Sequence, residues 1–144
     1  MAHDIRPVGE DCGDLITLRR QWHPDDDPGF DAEFRTWWAT ERDHRYAFVA
    51  YSVDGDPIGM ANGRVFSRMP APGHPNARWL YGANVYVAEP HRRRGVARAL
   101  MGALISRARE EGMVRVVLAP SPMSVPLYEA LGFRVADDLM RLDL

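Results

Sequence analysis

The sequence predicts an α+β domain in which about four helices flank a mixed sheet. Three observations lead to this prediction. Short runs rich in apolar, β-branched and aromatic residues, such as residues 46–51, indicate strands. Longer segments with apolar residues every three or four positions, such as residues 95–111, indicate amphipathic helices. Along the chain, these segments follow the order β-α-α-β-β-β-α-β-α-β.

The first half of the chain is predicted to supply a strand at residues 5–8, helices at 11–22 and 31–41, and a hairpin. The hairpin strands, 46–51 and 57–66, flank an Asp-Gly turn, and Gly59 and Gly63 indicate bends or bulges in the second of them. The second helix carries an aromatic stripe, which indicates either core packing or a helix that borders a substrate cleft. The stripe consists of Phe30, Phe34, Trp37 and Trp38.

The second half is predicted to supply a strand at residues 79–87, the helix at 95–111, and a strand at 114–118 that lies deep in the sheet. A short helix then contains Tyr128. Residues 133–144 are predicted to form one or two closing strands, because Leu139, Met140 and Leu142 are apolar. The Pro/Gly-rich segment 69–76 is either a lid over a site or a stiff surface connection.

Size and composition predict one soluble domain that spans residues 1–144. The formal net charge of -2 argues against a protein that binds nucleic acid through bulk charge. Cys12 is the sole cysteine, so the chain forms no internal disulfide, which fits a reducing compartment. No signal peptide or membrane-spanning segment is visible, and a cytoplasmic protein without membrane partners is therefore expected.

The most informative segment is 85–100, where a strand leads through a basic turn into a helix that begins at Gly95. Helix N-termini present unpaired N–H groups and a partial positive charge, so they bind phosphate. Gly95 and Ala97 are small and allow a ligand to approach the backbone. Four arginines add positive charge there, and the segment suits a pyrophosphate. The alternatives are a solvated basic surface and a nucleic-acid site. The arginines are Arg92, Arg93, Arg94 and Arg98.

Two motifs in this half resemble those of the GNAT superfamily of acyl-CoA-dependent N-acetyltransferases. Arg92, Gly95 and Ala97 fill the family pattern Q/R-x-x-G-x-G/A between a strand and a helix. Residues 127–133 resemble the family segment L-Y-E-x-L-G-F. The motif-level resemblance covers mainly residues 79–133.

The resemblance implies a mostly antiparallel sheet of six to seven strands, with a splay between the fourth and fifth. The pantetheine arm of acyl-CoA would lie in that gap, and Tyr128 would protonate the departing thiolate as the catalytic general acid. Ser121 stands where many members of the family carry asparagine. By resemblance, the residues that bind acyl-CoA are Val85, Tyr86, Val87, Arg92, Arg93, Arg94, Gly95, Val96, Ala97, Arg98 and Ser121.

The function that follows is transfer of an acetyl or other short acyl group from acyl-CoA to a primary amine. The amine attacks directly in a ternary complex, acetyl-CoA is the expected donor, and no metal is required. The acceptor is a small-molecule or peptide amine, and the acidic residues 25–27 favour a cationic one unless they are merely a solvated loop. A homodimer is left open, because dimers are common in the family.

The general base is not assigned, because residues 79–87 contain no Asp, Glu or His. This gap keeps open a non-catalytic acyl-CoA-binding regulatory domain of the same fold. The polar residues of that strand are Tyr81, Asn84 and Tyr86, and the candidates for a base elsewhere are Glu33, Glu41, His44 and His74.

Overall fold

A computed structural model describes residues 3–144, and a five-stranded mixed sheet forms its centre. The strands lie side by side in chain order, from β1 to β5. The first four pair antiparallel, and β5 runs parallel to β4 after a helical crossover. The strands are β1 (Asp4–Pro7), β2 (Arg45–Tyr51), β3 (Pro57–Ser67), β4 (Arg78–Val87) and β5 (Val116–Leu118).

Four α-helices cover the two faces of this sheet: α1 (Gly13–Trp22), α2 (Phe30–Glu41), α3 (Val96–Glu110) and α4 (Val125–Ala130). Because side chains alternate along a strand, β2 sends Ala47 and Val49 to α1 and α2. It sends Phe48 and Ala50 to α3 on the opposite face. Burial on both faces explains why β2 is continuously apolar after Arg45. None of the helices in residues 3–144 has the length and apolar character needed to cross a bilayer.

Gly63 of β3 makes room for a core leucine. A Cβ atom at Gly63 would lie 2.6 Å from Cγ of Leu80, whose side chain is completely buried. The bulge considered at Gly63 is absent, because Gly63 pairs regularly with Gly82. Gly59, by contrast, lies beside a register shift between β2 and β3.

A bulge in β4 positions the functional region. Met60 pairs with Tyr86, whereas Asn62 pairs with Ala83, so two β4 residues, Asn84 and Val85, face a single β3 residue. Asn84 adopts a left-handed φ of 54°, which asparagine tolerates better than most residues. On the other edge of β4, pairing with β5 ends at Gly82 and Leu118. The end of β4 beyond Gly82 therefore has no strand partner on that side among the described residues.

The number of strands is the main correction to the sequence prediction. The expected sheet of six to seven strands is wrong, because residues 133–144 form no strand and the described sheet has five. Phe133 packs against the core, but the apolar side chains that follow it remain exposed: Leu139 is 76% exposed and Met140 98%. The strand predicted at 114–118 is shortened to Val116–Leu118, and it lies at the edge of the described sheet instead of deep within it.

Candidate functional site

The turn between β4 and α3 presents a row of backbone N–H groups. Arg93 and Gly95 both adopt left-handed φ angles, of 64° and 80°. Within residues 3–144, the six amides of residues 93–98 donate to no protein acceptor. Nε2–H of His3 donates to the carbonyl oxygen of Arg94 at 2.9 Å and so contacts the turn from the N-terminal segment. Successive amides of this kind form a concave site for an anion.

Four arginine side chains surround these amides, and all four are exposed. None of them forms an ion pair within the described part of the chain. Nε of Arg92 donates to the carbonyl oxygen of Val87 at 2.8 Å, which ties the turn to the end of β4. The positive charge at this turn is therefore not neutralised by the protein, and it favours an anionic ligand.

A cavity of about 550 Å³ runs from this turn into the gap between β4 and β5, and we call it the β4–β5 cavity. It brings together ten of the twelve residues that the sequence assigns to acyl-CoA binding or catalysis. These ten are Val85, Val87, Arg92, Arg93, Gly95, Val96, Ala97, Arg98, Ser121 and Tyr128.

The side chains of Tyr86 and Arg94 do not line the β4–β5 cavity. The ring of Tyr86 lies on the opposite face of the sheet, where it stacks on Trp22 with ring centroids 5.3 Å apart. The lining also includes residues that were not predicted as site residues from the sequence, among them His91 and Trp22. His91 stands beside the arginines in the sequence, and this proximity is the signal that could have identified it.

The backbone of β4 directs polar groups into the gap. The amide of Ala88 donates to the carbonyl of Ile58, at the end of the β3–β4 pairing. Because N–H groups alternate sides along an antiparallel strand, the amide of Val87 points away from β3 and toward the gap. The carbonyl of Val87 points the same way, since it accepts the bond from Arg92.

Tyr128 reaches the same cavity from α4. Ser124 precedes the helix, and Pro126 occupies its first turn, where a missing N–H costs nothing. The ring of Tyr128 packs edge-on against Phe133, and the side chain is 8% exposed. Its hydroxyl has no hydrogen-bond partner within residues 3–144. Burial raises the pKa of Tyr128 above its ordinary value, so the phenol keeps its proton at neutral pH.

A second cavity, of about 320 Å³, lies between α1, α2 and the opposite face of β3 and β4. We call it the α2-side cavity. Its wall includes the aromatic stripe of α2, and Asn84 lines both cavities. Of the stripe, Trp38 is buried in the core and its Nε1–H donates to the carbonyl of Gly9. The α2-side cavity is lined by Leu15, Arg19, Phe30, Glu33, Phe34, Trp37, Trp38, Met60, Ala61, Asn62 and Asn84.

The candidates for a general base lie in different surroundings. Glu33 lines the α2-side cavity, whereas His44 and His74 line neither cavity. Glu41 accepts hydrogen bonds from Arg45 and Arg64. These bonds, the one from Arg45 first, hold the pKa of Glu41 below its usual range, so Glu41 is a poor proton acceptor at neutral pH.

Other features noted in the sequence lie outside both cavities. The acidic residues 25–27 and the segment 69–76 line neither of them. Arg20 donates to the carbonyls of Asp25 and Asp27, so that loop is held against α1. Across residues 3–144, no three His, Cys, Asp or Glu side chains converge as ligands for a metal ion.

Comparison with known proteins identifies relatives of this architecture. Residues 14–133 match the model of the Acetyltransferase (GNAT) family. The chain is 41% identical to a glucosamine 6-phosphate N-acetyltransferase of Trypanosoma brucei brucei over 61 residues, which span 42% of either protein.

Two solved structures share the whole fold. An acetyltransferase from Trypanosoma brucei is 25% identical, with a TM-score of 0.76 and 99% of each chain covered. A protein from Clostridium acetobutylicum, described as a predicted acetyltransferase and solved with acetyl-CoA, aligns with a TM-score of 0.77 over 98% of this chain and 96% of its own. At 18% identity, the latter likeness shows the fold alone.

Proposed function

This chain belongs to the GNAT family of acetyltransferases, and on that premise we propose that it acylates a primary amine with an acyl-CoA donor. The proposal is a transfer of an acetyl or other short acyl group by direct attack in a ternary complex. One observation carries it: two cavities on opposite faces of the sheet share Asn84 at the β4 bulge. A donor in one cavity and an amine in the other would then meet at the end of β4.

The residues of the β4–β5 cavity fit acyl-CoA. The unpaired amides of residues 93–98 and the surrounding arginines suit a pyrophosphate, and the left-handed φ of Gly95 would be strained with any other residue. The unpaired edge of β4 offers backbone groups to an extended amide-containing arm. Bound acyl-CoA would supply the thioester carbonyl that the amine attacks. Acetyl-CoA is the proposed donor.

The residues of the chain would then orient and protonate the reacting groups. The amide of Val87, which points into the gap, would donate to the carbonyl oxygen as negative charge develops there. Tyr128 would hold a proton at Oη for the departing sulfur, since burial keeps the phenol protonated. The new C–N bond forms as the C–S bond breaks, and the amine gives up a proton to solvent or to a base. Glu33 is the base candidate that lines the α2-side cavity.

We extend the proposal to the acceptor and to the setting of the reaction. The acceptor is a small-molecule or peptide amine, in keeping with the named substrate of the trypanosomal relative. Residues 1–144 would act as one catalytic domain, because the four helices pack on a single sheet. The buried thiol of Cys12 suits a reducing compartment, and we propose the cytoplasm.

Calorimetry of acetyl-CoA binding tests the donor site, with the variant Gly95→Glu and the control Gly112→Glu. Both glycines flank α3 and have left-handed φ angles, of 80° and 70°, so the backbone strain is matched. Only Gly95 lies at the proposed pyrophosphate site. We expect Gly95→Glu to weaken binding by about two orders of magnitude through bulk and charge repulsion. The control should bind like the wild type.

Equal binding by the two variants would show that the anion site lies elsewhere. A wild-type protein that does not bind acetyl-CoA would overturn the proposal as a whole.

A further inference from the structure

A chain of side-chain hydrogen bonds fixes the polar group where the two cavities meet. Nη1 of Arg45 donates to Oδ1 of Asn62 at 2.8 Å. Nδ2 of Asn62 in turn donates to Oδ1 of Asn84 at 2.9 Å and to the carbonyl of Ala83 at 3.2 Å. Asn62 is the sole buried polar side chain of the described residues, at 8% exposed. A buried amide with both ends bonded is held in one orientation.

The direction of this chain follows from chemistry, because a guanidinium group only donates. Arg45 must face the oxygen of Asn62, so the nitrogen of Asn62 must face Asn84. That nitrogen can only donate, and it therefore requires the oxygen of Asn84. The amide N–H₂ of Asn84 is the group left over, and it has no acceptor among residues 3–144.

Arg45 is anchored in turn by Glu41. Its Nε and Nη2 donate to Oε1 of Glu41 at 3.0 and 2.9 Å, and Arg64 donates to both carboxylate oxygens at 2.6 and 2.8 Å. The guanidinium of Arg45 also lies over the ring of Trp37, 4.8 Å from its centroid. Because the lowered pKa keeps Glu41 ionised, the anchor persists across neutral pH.

Asn84 thus offers a hydrogen-bond donor to a ligand in the α2-side cavity. The wall of that cavity also carries two charged side chains. Arg19 and Glu33 both line it. Neither forms an ion pair within 4.0 Å in the described part of the chain. Phe30, Phe34 and Trp37 give the wall an apolar surface. A complementary ligand carries an anionic oxygen, a cationic nitrogen and an apolar body.

We propose that the acceptor is an α-amino acid with an apolar side chain, and that Asn84 determines this specificity by donating to the carboxylate. Arg19 adds positive charge for the same carboxylate, Glu33 attracts the ammonium group, and the aromatic wall receives the side chain. Arg45 and Asn62 act as positioning residues, because they orient Asn84 without touching the acceptor. This inference rests on the proposed function, since it names the amine that the acyltransferase would use.

The test measures amine-dependent release of CoA with L-phenylalanine and with phenethylamine, the same amine without its carboxylate. We expect kcat/KM to favour phenylalanine by about tenfold to a hundredfold, as for a charge-assisted hydrogen bond. Asn84→Asp should reduce that preference by a similar factor, because aspartate repels the carboxylate and has no N–H to donate. Aspartate still accepts the bond from Asn62 and tolerates the left-handed φ.

The control is Asn76→Asp, which makes the same substitution in the exposed segment outside both cavities. It should leave the preference unchanged. A merely structural role for Asn84 would lower kcat/KM for both amines and leave their ratio intact, so the ratio is the decisive reading.

Arg45→Met should also reduce the ratio, because the amides of Asn62 and Asn84 are then free to flip.

The inference is overturned if the wild type uses phenethylamine as well as phenylalanine, or if Asn84→Asp keeps the preference. Turnover of glucosamine alone would overturn it too, while leaving the proposed acyltransferase activity in place. Parallel calorimetry separates the two claims: a protein that does not bind acetyl-CoA loses the proposed function and the inference together.

Discussion

The two cavities that share Asn84 are built in different ways. The β4–β5 cavity draws most of its lining from residues 82–98 and 118–128, and it offers backbone amides and a left-handed glycine. The α2-side cavity draws on α1, α2, β3 and β4, and it offers aromatic and charged side chains. Recognition by backbone needs a local conformation, whereas recognition by side chains needs particular residues from distant segments. The backbone site of the β4–β5 cavity suits a common acyl donor, and the side chains of the α2-side cavity suit selective recognition of the acceptor.

The largest expected effect separates chemistry from binding within the β4–β5 cavity. Tyr128→Phe removes the proposed proton donor but keeps the ring that packs on Phe133. We expect kcat to fall by about 10² to 10⁴-fold, the usual range for a general acid, with acetyl-CoA binding unchanged. Steady-state kinetics and calorimetry check the two quantities. An unchanged kcat would mean that another group or water protonates the sulfur.

The pH profile of kcat tests whether the pKa of Tyr128 is raised. Because burial raises the pKa of Tyr128, loss of its proton should reduce kcat only above about pH 10, the ordinary value for tyrosine. If kcat instead fell near neutral pH and Tyr128→Phe abolished that fall, Tyr128 would still be the acid, but its pKa would not be raised by burial.

A smaller effect is expected when an aromatic side chain is removed from the wall of the α2-side cavity. Phe34 is partly buried and packs against Phe30 and Trp37, with ring centroids 5.8 and 5.3 Å away. Phe34→Ala should raise KM for the amine by about tenfold through lost apolar contact, with acetyl-CoA binding unaffected. Thermal unfolding serves as the control for damage to the fold. Weaker acetyl-CoA binding in this variant would show that the two cavities do not act separately.

The smallest expected effect is a change in folding stability at high pH, and it arises from a bond that holds α1, a wall of the α2-side cavity, against the sheet. The hydroxyl of Tyr51 on β2 donates to Asp14 of α1. Burial first, and then this bond, raises the pKa of Tyr51 to about 12. A raised pKa stabilises the folded state below the unfolded value of about 10, and that stability is lost as the pH rises through about 12.

Urea denaturation at pH 8 and pH 11 should therefore show a lower free energy of unfolding at pH 11 for the wild type. The difference should be smaller for Tyr51→Phe, while Tyr128 still contributes to it. An equal difference in the two proteins would show that the pKa of Tyr51 is not raised in the folded state.

The same contrast explains what could be predicted from the sequence. The β4–β5 cavity is encoded by contiguous motifs, so Gly95 and Ala97 could be placed from the turn before a helix, and Tyr128 from the resemblance of its segment to a family motif. The aromatic stripe of α2 could be predicted from the helical spacing of its residues. The residues of α1 and β4 that complete the same cavity could not be predicted in this way. The bond from Asn62 to Asn84 depends on strand register and on a bulge, which hydrophobic pattern does not report. An asparagine within a strand is the signal that could have indicated the left-handed residue.

The errors in the fold prediction have a related cause. Leu139, Met140 and Leu142 carry the apolar character of a strand, but a strand also needs a partner edge and a buried face. In the described structure these side chains remain exposed. The strand predicted at 114–118 ends at Leu118 as expected, but it begins only at Val116, where its pairing with β4 starts at Leu80. Local composition does not report where that pairing begins.

Release of CoA by the wild-type protein in the presence of different amines is the decisive test of whether the chain acylates an amine. The measurement compares amino acids, amino sugars, polyamines and peptides with free N-termini, against a background without amine. We expect saturable release of CoA that requires an amine and is lost in Gly95→Glu. Acetyl-CoA binding without amine-dependent release for any class would contradict it, and would identify the chain as a non-catalytic acyl-CoA-binding domain of the GNAT fold.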